Sequence, residues 1–131
     1  MVMPEERKLK VLYVTEFLPW PLNSGGRIRS YNILYQASLR HEVTLVSTYM
    51  YDDQLIFHDF VHQVHAVKIQ NRSRSNKIYR AFKFMFSHSP FLRVYSTYHK
   101  EIEDKLRILL KDNSYDLIHL DQLDAAAYLP L

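Results

Sequence analysis

The chain has 131 residues, 47% of them apolar, and a formal net charge of +3. Its length and apolar content are enough for one hydrophobic core and too small for two ordinary domains, so residues 1–131 are predicted to form one domain. Because the sequence contains no cysteine, disulfides, thiol nucleophiles and zinc sites built on thiolates are excluded. No stretch reaches the roughly 18 to 20 apolar residues of a membrane span, and residues 1–10 are charged where a signal peptide is apolar, so we expect a cytoplasmic protein.

The first predicted element is a strand over residues 10–15, K-V-L-Y-V-T, the kind of apolar, β-branched run that is typical of a strand buried on both faces. The loop that follows, F-L-P-W-P-L-N-S-G-G-R, holds both glycines of the chain, Gly25 and Gly26. An amphipathic helix is predicted over residues 26–40, with Ser24 as its N-cap. Its apolar residues recur at steps of three and four, and they are Ile28, Tyr31, Leu34, Tyr35 and Leu39.

The rest of the chain alternates between apolar, β-branched runs and stretches of helical periodicity. The predicted elements are a strand over residues 42–47, a short helix that Asp52 or Asp53 caps and that extends to Val61, a strand over residues 64–69, a helix over residues 98–111 and a strand over residues 115–120. This alternation predicts an α/β fold, namely a Rossmann-like parallel sheet with flanking helices.

The basic residues are concentrated in one part of the chain, because residues 60–100 contain eight lysines or arginines and no acidic residue. Within this block, residues 76–87 place Lys77, Arg80 and Lys83 on one side of a helix and apolar residues on the other. Such a helix is typical of contact with an anionic membrane surface. The alternatives are a surface helix that packs its apolar side on the sheet and, with less support, a nucleic-acid contact without a recognised module.

The carboxyl ends of parallel strands are where ligands bind in open α/β sheets, so the residues after each strand are the candidate site. Two glycines exclude the G-x-G-x-x-G fingerprint, and no G-K-[ST] follows a strand. The N–H groups of Gly25 and Gly26 are predicted to hold an anion such as phosphate at a helix start, with an ordinary tight turn as the alternative. Arg27 is the favoured side-chain contact for that anion, and Arg29 is the weaker candidate.

Three segments of the sequence carry a resemblance to a known family: residues 10–32, K-V-L-Y-V-T-E-F-L-P-W-P-L-N-S-G-G-R-I-R-S-Y-N, residues 40–47, R-H-E-V-T-L-V-S, and residues 115–121, Y-D-L-I-H-L-D. They resemble the N-terminal domain of retaining GT-B glycosyltransferases of the glycosyltransferase 4-like group, and together they frame nearly the entire chain. The resemblance implies sugar transfer from a UDP- or GDP-sugar to a glycan or lipid-linked acceptor, as in polysaccharide biosynthesis. It also implies that the chain lacks the C-terminal nucleotide-sugar domain and is inactive by itself. The basic helix over residues 76–87 suits an enzyme with a lipid-linked acceptor and predicts a peripheral position at the inner face of the plasma membrane.

The resemblance also assigns roles to particular residues. By position, Gly25, Gly26 and Arg27 would lie near the donor diphosphate, while Asp121 stands where family members often carry a histidine. In this respect the chain departs from the family's pattern. Asp121 is the predicted catalytic residue because it directly follows a buried strand, where it could hydrogen-bond an acceptor hydroxyl or act as a base, and a helix N-cap is its alternative role. The predicted acceptor contacts are Trp20, Asn23, Ser24 and Gln122, with Asp124 a weaker candidate; Trp20 either stacks on a sugar or stiffens the loop.

Two further interpretations complete the expectations. His119 lies between apolar residues of the fourth strand and is predicted to be a core histidine, and no bound cofactor is expected. A metal site at His58, His62 and His65 is disfavoured, although the first two residues have the spacing of one helix face. The competing function is a non-catalytic α/β module that binds an anionic membrane surface or phosphate ligands.

Overall fold

A four-stranded, all-parallel sheet with strand order β3-β2-β1-β4 organises the molecule. The computed structural model describes residues 7–52, 55–56, 58–69 and 98–128. The strands are β1 (Lys10–Phe17), β2 (Glu42–Tyr49), β3 (Gln63–Lys68) and β4 (Leu117–Leu120), and the helices are α1 (Gly25–Ser38), α2 (Lys100–Asp112) and a short 3-10 helix (Leu123–Tyr128). This confirms the predicted class, a Rossmann-like α/β sheet with flanking helices.

The two central strands are buried on both faces, which explains their continuous apolar runs. On one face, Tyr13 and Leu45 pack with Leu34 of α1. On the other face, Leu12 and Val46 pack with three residues of α2, which are Ile102, Leu106 and Leu109. Among the described residues there are therefore two apolar layers, with α1 on one face of the sheet and α2 on the other.

Helix α1 begins as the sequence predicts, because the Ser24 side chain accepts a hydrogen bond from the Arg27 backbone N–H at 3.4 Å. Its orientation differs from the prediction. The residues that it buries completely are Ser30 and Leu34, whereas three of the five predicted core positions are exposed, at 44% for Ile28, 38% for Tyr35 and 59% for Leu39. The helix is rotated so that a polar residue, Ser30, faces the sheet.

Helix α2 follows the usual amphipathic plan. Its apolar residues Ile102 and Leu106 face the sheet at 2% exposure, and its charged residues face solvent. Two glutamates, Glu101 and Glu103, lie in the first turn and Lys111 lies in the last turn, so their charges complement the helix dipole. An ion pair of 2.7 Å joins Glu103 to Arg107 one turn along the same surface.

The segment between β2 and β3 corrects one prediction. No helix forms among the described residues 55–56 and 58–62, which make turns closed by the hydrogen bond from Val61 N–H to the His58 carbonyl at 3.1 Å. The reason is that side chains anchor the segment: the rings of His58 and Phe60 pack edge-on against Tyr31 of α1, with centroids 5.6 and 5.5 Å away. Residues 58–62 are therefore held by contacts between aromatic rings and not by helical hydrogen bonds.

Strand β4 is an outer strand of the sheet that the described residues form, and its side chains are only partly covered. Leu117 is 49% exposed and Ile118 is 47% exposed, although they project to opposite faces of the sheet. None of the helices in the part of the chain that the structure describes has the length and apolar character that crossing a membrane requires.

Candidate functional site

The boundary between β1 and β4 is the topological switch point of the sheet. The chain leaves β1 toward β2 on one side, and β4 adds to β1 on the other side. In doubly wound sheets the crevice beyond the carboxyl ends of the strands at this point is the usual ligand site. Here the crevice is bordered by the N-terminus of α1 and by Asp121 and Gln122, which directly follow β4.

Gly25 and Gly26 are the first two residues of α1, and the apo fold does not require them to be glycine. Neither has a positive φ, and a Cβ atom added at either position would have no heavy atom within 4 Å. Space beside the helix start is therefore open. The first amides of a helix have no acceptor within the helix, and the helix dipole makes them attractive to anions. The first turn also contains no acidic residue that would compete with an anion.

Asp121 lies at the end of β4, as the sequence predicts, but its carboxylate points into the protein. The side chain is 0% exposed. The Tyr13 hydroxyl donates a hydrogen bond to Oδ1 at 2.8 Å, and the Ser30 hydroxyl donates to Oδ2. The Asp121 backbone N–H donates to the Val14 carbonyl at 3.0 Å, so the residue also continues the sheet.

Arg29 completes this buried polar cluster from the solvent side. Its Nη1 atom lies 3.4 Å from Asp121 Oδ1, and both terminal nitrogens reach the Asp121 carbonyl oxygen, Nη1 at 3.5 Å and Nη2 at 3.3 Å. The Arg29 side chain is 55% exposed. A guanidinium that is more than half exposed is therefore held by a carboxylate that is fully buried.

The phenol of Tyr13 is kept neutral by this arrangement. Its burial raises its pKa, the hydrogen bond to Asp121 and the negative charge of Asp121 raise the pKa further, and the Arg29 charge lowers it. His119 stacks on the same ring with centroids 4.5 Å apart, and its Nε2 atom lies 3.9 Å from Asp121 Oδ1. His119 differs from the predicted core histidine because its side chain is 36% exposed on the edge strand and its Nε2 has no hydrogen-bond partner.

The catalytic role of Asp121 stays a prediction, and it would require substrate to reach one of the carboxylate oxygens. A general base needs an oxygen that substrate can reach, whereas both Asp121 oxygens accept hydrogen bonds from inside the protein. The contacts of Asp121 do not match the alternative N-cap role either, because its carboxylate accepts from Tyr13 and Ser30. The 3-10 helix that begins at Leu123 is closed instead by the backbone bond from the Ala125 N–H to the Gln122 carbonyl at 3.0 Å.

The predicted acceptor contacts fall into two groups. Asn23, Ser24 and Gln122 lie at or near the surface of the crevice, and the Asn23 side chain accepts a hydrogen bond from Arg27 Nη1 at 3.1 Å. Trp20 is buried at 3% exposure and packs edge-on against His58 at 4.6 Å. Its geometry matches the loop-stiffening alternative, since a ring that stacks on a sugar needs an open face.

The arrangement of His58, His62 and His65 is not that of a metal site. His58 lies in a turn and His65 lies on β3, so His58 and His62 do not share a helix face. Burial, and secondarily the Lys105 charge, lowers the pKa of His65. Within residues 7–52, 55–56, 58–69 and 98–128, no three histidine, aspartate or glutamate side chains are grouped so that they could hold a metal ion.

Two further surfaces complete the description. A small polar pocket lies at the opposite, amino edge of the sheet, where ligands of parallel sheets do not usually bind; its lining includes Lys10, Glu42, His62, Gln63 and Asn113.

The predicted membrane-surface residues Lys77, Arg80 and Lys83 lie outside the described residues, so their role stays a prediction.

The contacts of Tyr13 and Ser30 with Asp121 were not foreseen from the sequence, since they join residues 108 and 91 positions apart. One part of the cluster was visible in the sequence: Arg29 lies three and four positions after the two glycines, a spacing that places all three on one side of a helix.

Comparison of the chain with protein-family models, with curated proteins and with solved structures finds no match.

Proposed function

We propose that this chain is the N-terminal, acceptor-side half of a two-domain glycosyltransferase that transfers a sugar from a nucleotide-sugar donor to a glycan or lipid-linked acceptor. The observation that carries the proposal is the open N-terminus of α1 at the switch point, where two glycines leave backbone amides accessible. The resemblance of residues 10–32 to the opening strand, loop and helix of such enzymes supports the same assignment.

The chemistry of sugar transfer fits this site. When the glycosidic bond to the donor breaks, the leaving nucleoside diphosphate gains negative charge, and donors fixed in advance stabilise that charge best. The amides of Gly25 and Gly26, the positive end of the α1 dipole and an arginine of the same helix supply such donors. A second domain would bring the nucleotide to this edge, and the acceptor would approach from the side of Asn23 and Gln122.

The test uses the chain extended by the residues that follow Leu131 in its gene, with a panel of UDP- and GDP-sugars. We expect sugar transfer or slow donor hydrolysis, and we expect Gly26→Val to abolish both because its side chain fills the space above the amides. Gln36→Val is the matched control, since it places the same side chain at an exposed position of the same helix. Absence of transfer and of hydrolysis across the whole panel would refute the proposal.

A second candidate is a non-catalytic module that binds an anionic membrane surface. It is favoured by the outward side of α1, where Ile28, Tyr35 and Leu39 are exposed and the helix contains no acidic residue. The two functions separate in one experiment. If charge reversal at Lys77, Arg80 and Lys83 abolishes vesicle binding and biological function while Gly26→Val preserves both, the membrane module is correct and the enzyme is not.

A further inference from the structure

We propose that Arg29, and not Arg27, is the side chain that contacts the anion bound at the N-terminus of α1, and that buried Asp121 is the positioning residue that aims it. The inference refines the proposed function, on which it rests for the identity of the anion as a diphosphate. It rests on three observations: the side of α1 on which each arginine lies, what each guanidinium contacts, and where the glycines leave room.

Helix geometry places Arg29 beside the glycines. Arg29 follows Gly26 by three positions and Gly25 by four, so the three residues lie one above another on one side of α1. Long side chains on a helix lean toward its N-terminus, which carries the Arg29 guanidinium back over the glycine turn. Arg27 is one and two positions away from the glycines, so at about 100° per residue it projects from a different side.

The contacts of the two guanidinium groups also differ. Arg27 Nη1 donates to Asn23 Oδ1 at 3.1 Å, in the loop that precedes α1. The contacts that fix Arg29 are made to the single residue Asp121, at 3.3 to 3.5 Å, by its two terminal nitrogens. A guanidinium has five N–H donors, and more than half of the Arg29 side chain is exposed. Arg29 is therefore held in place while it keeps an accessible surface for a ligand.

The contacts of Asp121 suit it to position Arg29 and not to take part in the reaction itself. Hydrogen bonds from Tyr13 and Ser30 fix both carboxylate oxygens, and these donors come from β1 and from α1. Only Oδ1 and the backbone carbonyl face Arg29. The cluster thus ties the first turns of α1 to the end of β4 across the switch point. An anion seated on the Gly25 and Gly26 amides would meet a guanidinium whose orientation is set before binding, which lowers the entropic cost of binding.

The experiment titrates the 131-residue chain with inorganic pyrophosphate by isothermal calorimetry and repeats the titration with UDP. We expect Arg29→Gln to weaken pyrophosphate binding about tenfold or more, the effect of losing a charge-assisted hydrogen bond. Arg40→Gln, at an exposed position after the other end of α1, is the charge-matched control and should leave the affinity near that of the original chain. A larger loss with Arg27→Gln than with Arg29→Gln would overturn the assignment.

A double-mutant cycle tests the positioning role. Asp121→Asn should weaken pyrophosphate binding in the original chain and have no further effect in the Arg29→Gln chain, because its effect acts through Arg29. Loss of affinity in both backgrounds would show general structural damage and would refute the positioning role. Ser30→Ala gives an independent variant with the same expectation, and circular dichroism establishes that each variant is folded.

The results also distinguish the inference from the proposed function. If Arg29→Gln loses pyrophosphate binding but the extended chain transfers no sugar, the anion site stands and the glycosyltransferase assignment falls. If the extended chain transfers sugar and Arg27 proves to be the contact, the assignment stands and the inference falls. If the original chain binds neither pyrophosphate nor UDP, the inference falls, and sugar transfer by the extended chain decides the proposed function.

Discussion

Helices α1 and α2 cover opposite faces of one sheet, and they are built on different plans. Helix α2 buries leucine and isoleucine, exposes charged residues, and carries acidic residues at its start and a lysine at its end. Helix α1 buries Ser30 with Leu34, exposes Ile28 and Leu39, begins with two glycines and contains no acidic residue. Helix α2 thus follows the amphipathic plan apart from the exposed Ile108, whereas α1 departs from it at several positions.

The difference concerns the backbone at the helix start and the polar groups on which each helix packs. Glycine in a helix costs roughly 0.5 to 1 kcal/mol relative to alanine, and a buried carboxylate is costly unless each oxygen has a partner. Helix α1 begins with two glycines and packs on the buried Asp121 carboxylate, whose two oxygens both have partners. Under the proposed function α1 is the functional helix and α2 is the structural one, and four measurements can break or sharpen this contrast.

The largest effect is expected in the core beneath α2. Leu106→Ala removes a side chain that is 2% exposed and should lower the free energy of unfolding by about 3 kcal/mol, measured by urea denaturation. Ile108→Ala is the control on the same helix, because Ile108 is 55% exposed and its truncation should cost less than about 0.5 kcal/mol. Equal losses for the two variants would show that α2 does not pack as described.

The next effect concerns the polar cluster beneath α1. Asp121→Ala leaves the Tyr13 and Ser30 hydroxyls without their acceptor and should lower the free energy of unfolding by about 2 kcal/mol. Asp116→Ala is the control, because its carboxylate pairs with an Arg7 side chain that is 79% exposed, and its loss should have a much smaller effect. If Asp121→Ala leaves stability unchanged, the cluster does not hold α1 to the sheet.

The third effect has the opposite sign. Gly25→Ala and Gly26→Ala should each raise the free energy of unfolding by about 0.5 kcal/mol, because alanine restricts the unfolded chain and finds no clash at either position. Thermal denaturation with and without pyrophosphate measures both consequences, since the ligand should raise the melting temperature of the variants less than that of the original chain. Gln36→Gly, deeper in α1, should instead destabilise the helix. Destabilisation by either alanine would mean that the fold itself requires glycine.

The smallest effect lies on the α2 side and depends on pH. Burial lowers the pKa of His65 in the folded chain below its ordinary value of 6.5, so the unfolded chain binds the proton first as the pH falls through 6.5. The free energy of unfolding should therefore decrease with falling pH in this window, and His65→Gln should make the slope shallower. Lys105→Gln should reduce the slope by less, because burial is the larger cause. An unchanged slope in His65→Gln would assign the pH dependence to other groups.

The sheet was predictable because its causes are local. The runs at residues 10–15 and 42–47 are apolar and β-branched throughout, and both fall within buried central strands, β1 and β2. The Ser24 cap was equally readable, since capping depends on a side chain and an amide three residues away. Position after a strand end likewise places Gly25 and Asp121 at one edge of the sheet.

The rotation of α1 could not be read in the same way. The spacing of Ile28, Tyr35 and Leu39 predicts that these residues form the buried face of α1. In the structure Ser30 faces the sheet instead, because its hydroxyl donates a hydrogen bond to the Asp121 carboxylate. That contact couples residues 91 positions apart, and periodicity within a short window carries no information about it. The turns at residues 58–62 escaped prediction for a similar reason, since aromatic contacts with α1 determine them.

The position of β4 sets the order in which a nascent chain can acquire this structure. Strands β1, β2 and β3 are successive neighbours both in the sequence and in the sheet, so they can pair while later residues are still inside the ribosome. Strand β4 must find β1 across a long stretch of chain, with Tyr13 and Asp121 108 positions apart, and closing so large a loop is slow. Arg29 therefore gains its contacts with Asp121 only after residues up to β4 and Asp121 have been made, whereas β1, β2 and β3 can pair before then.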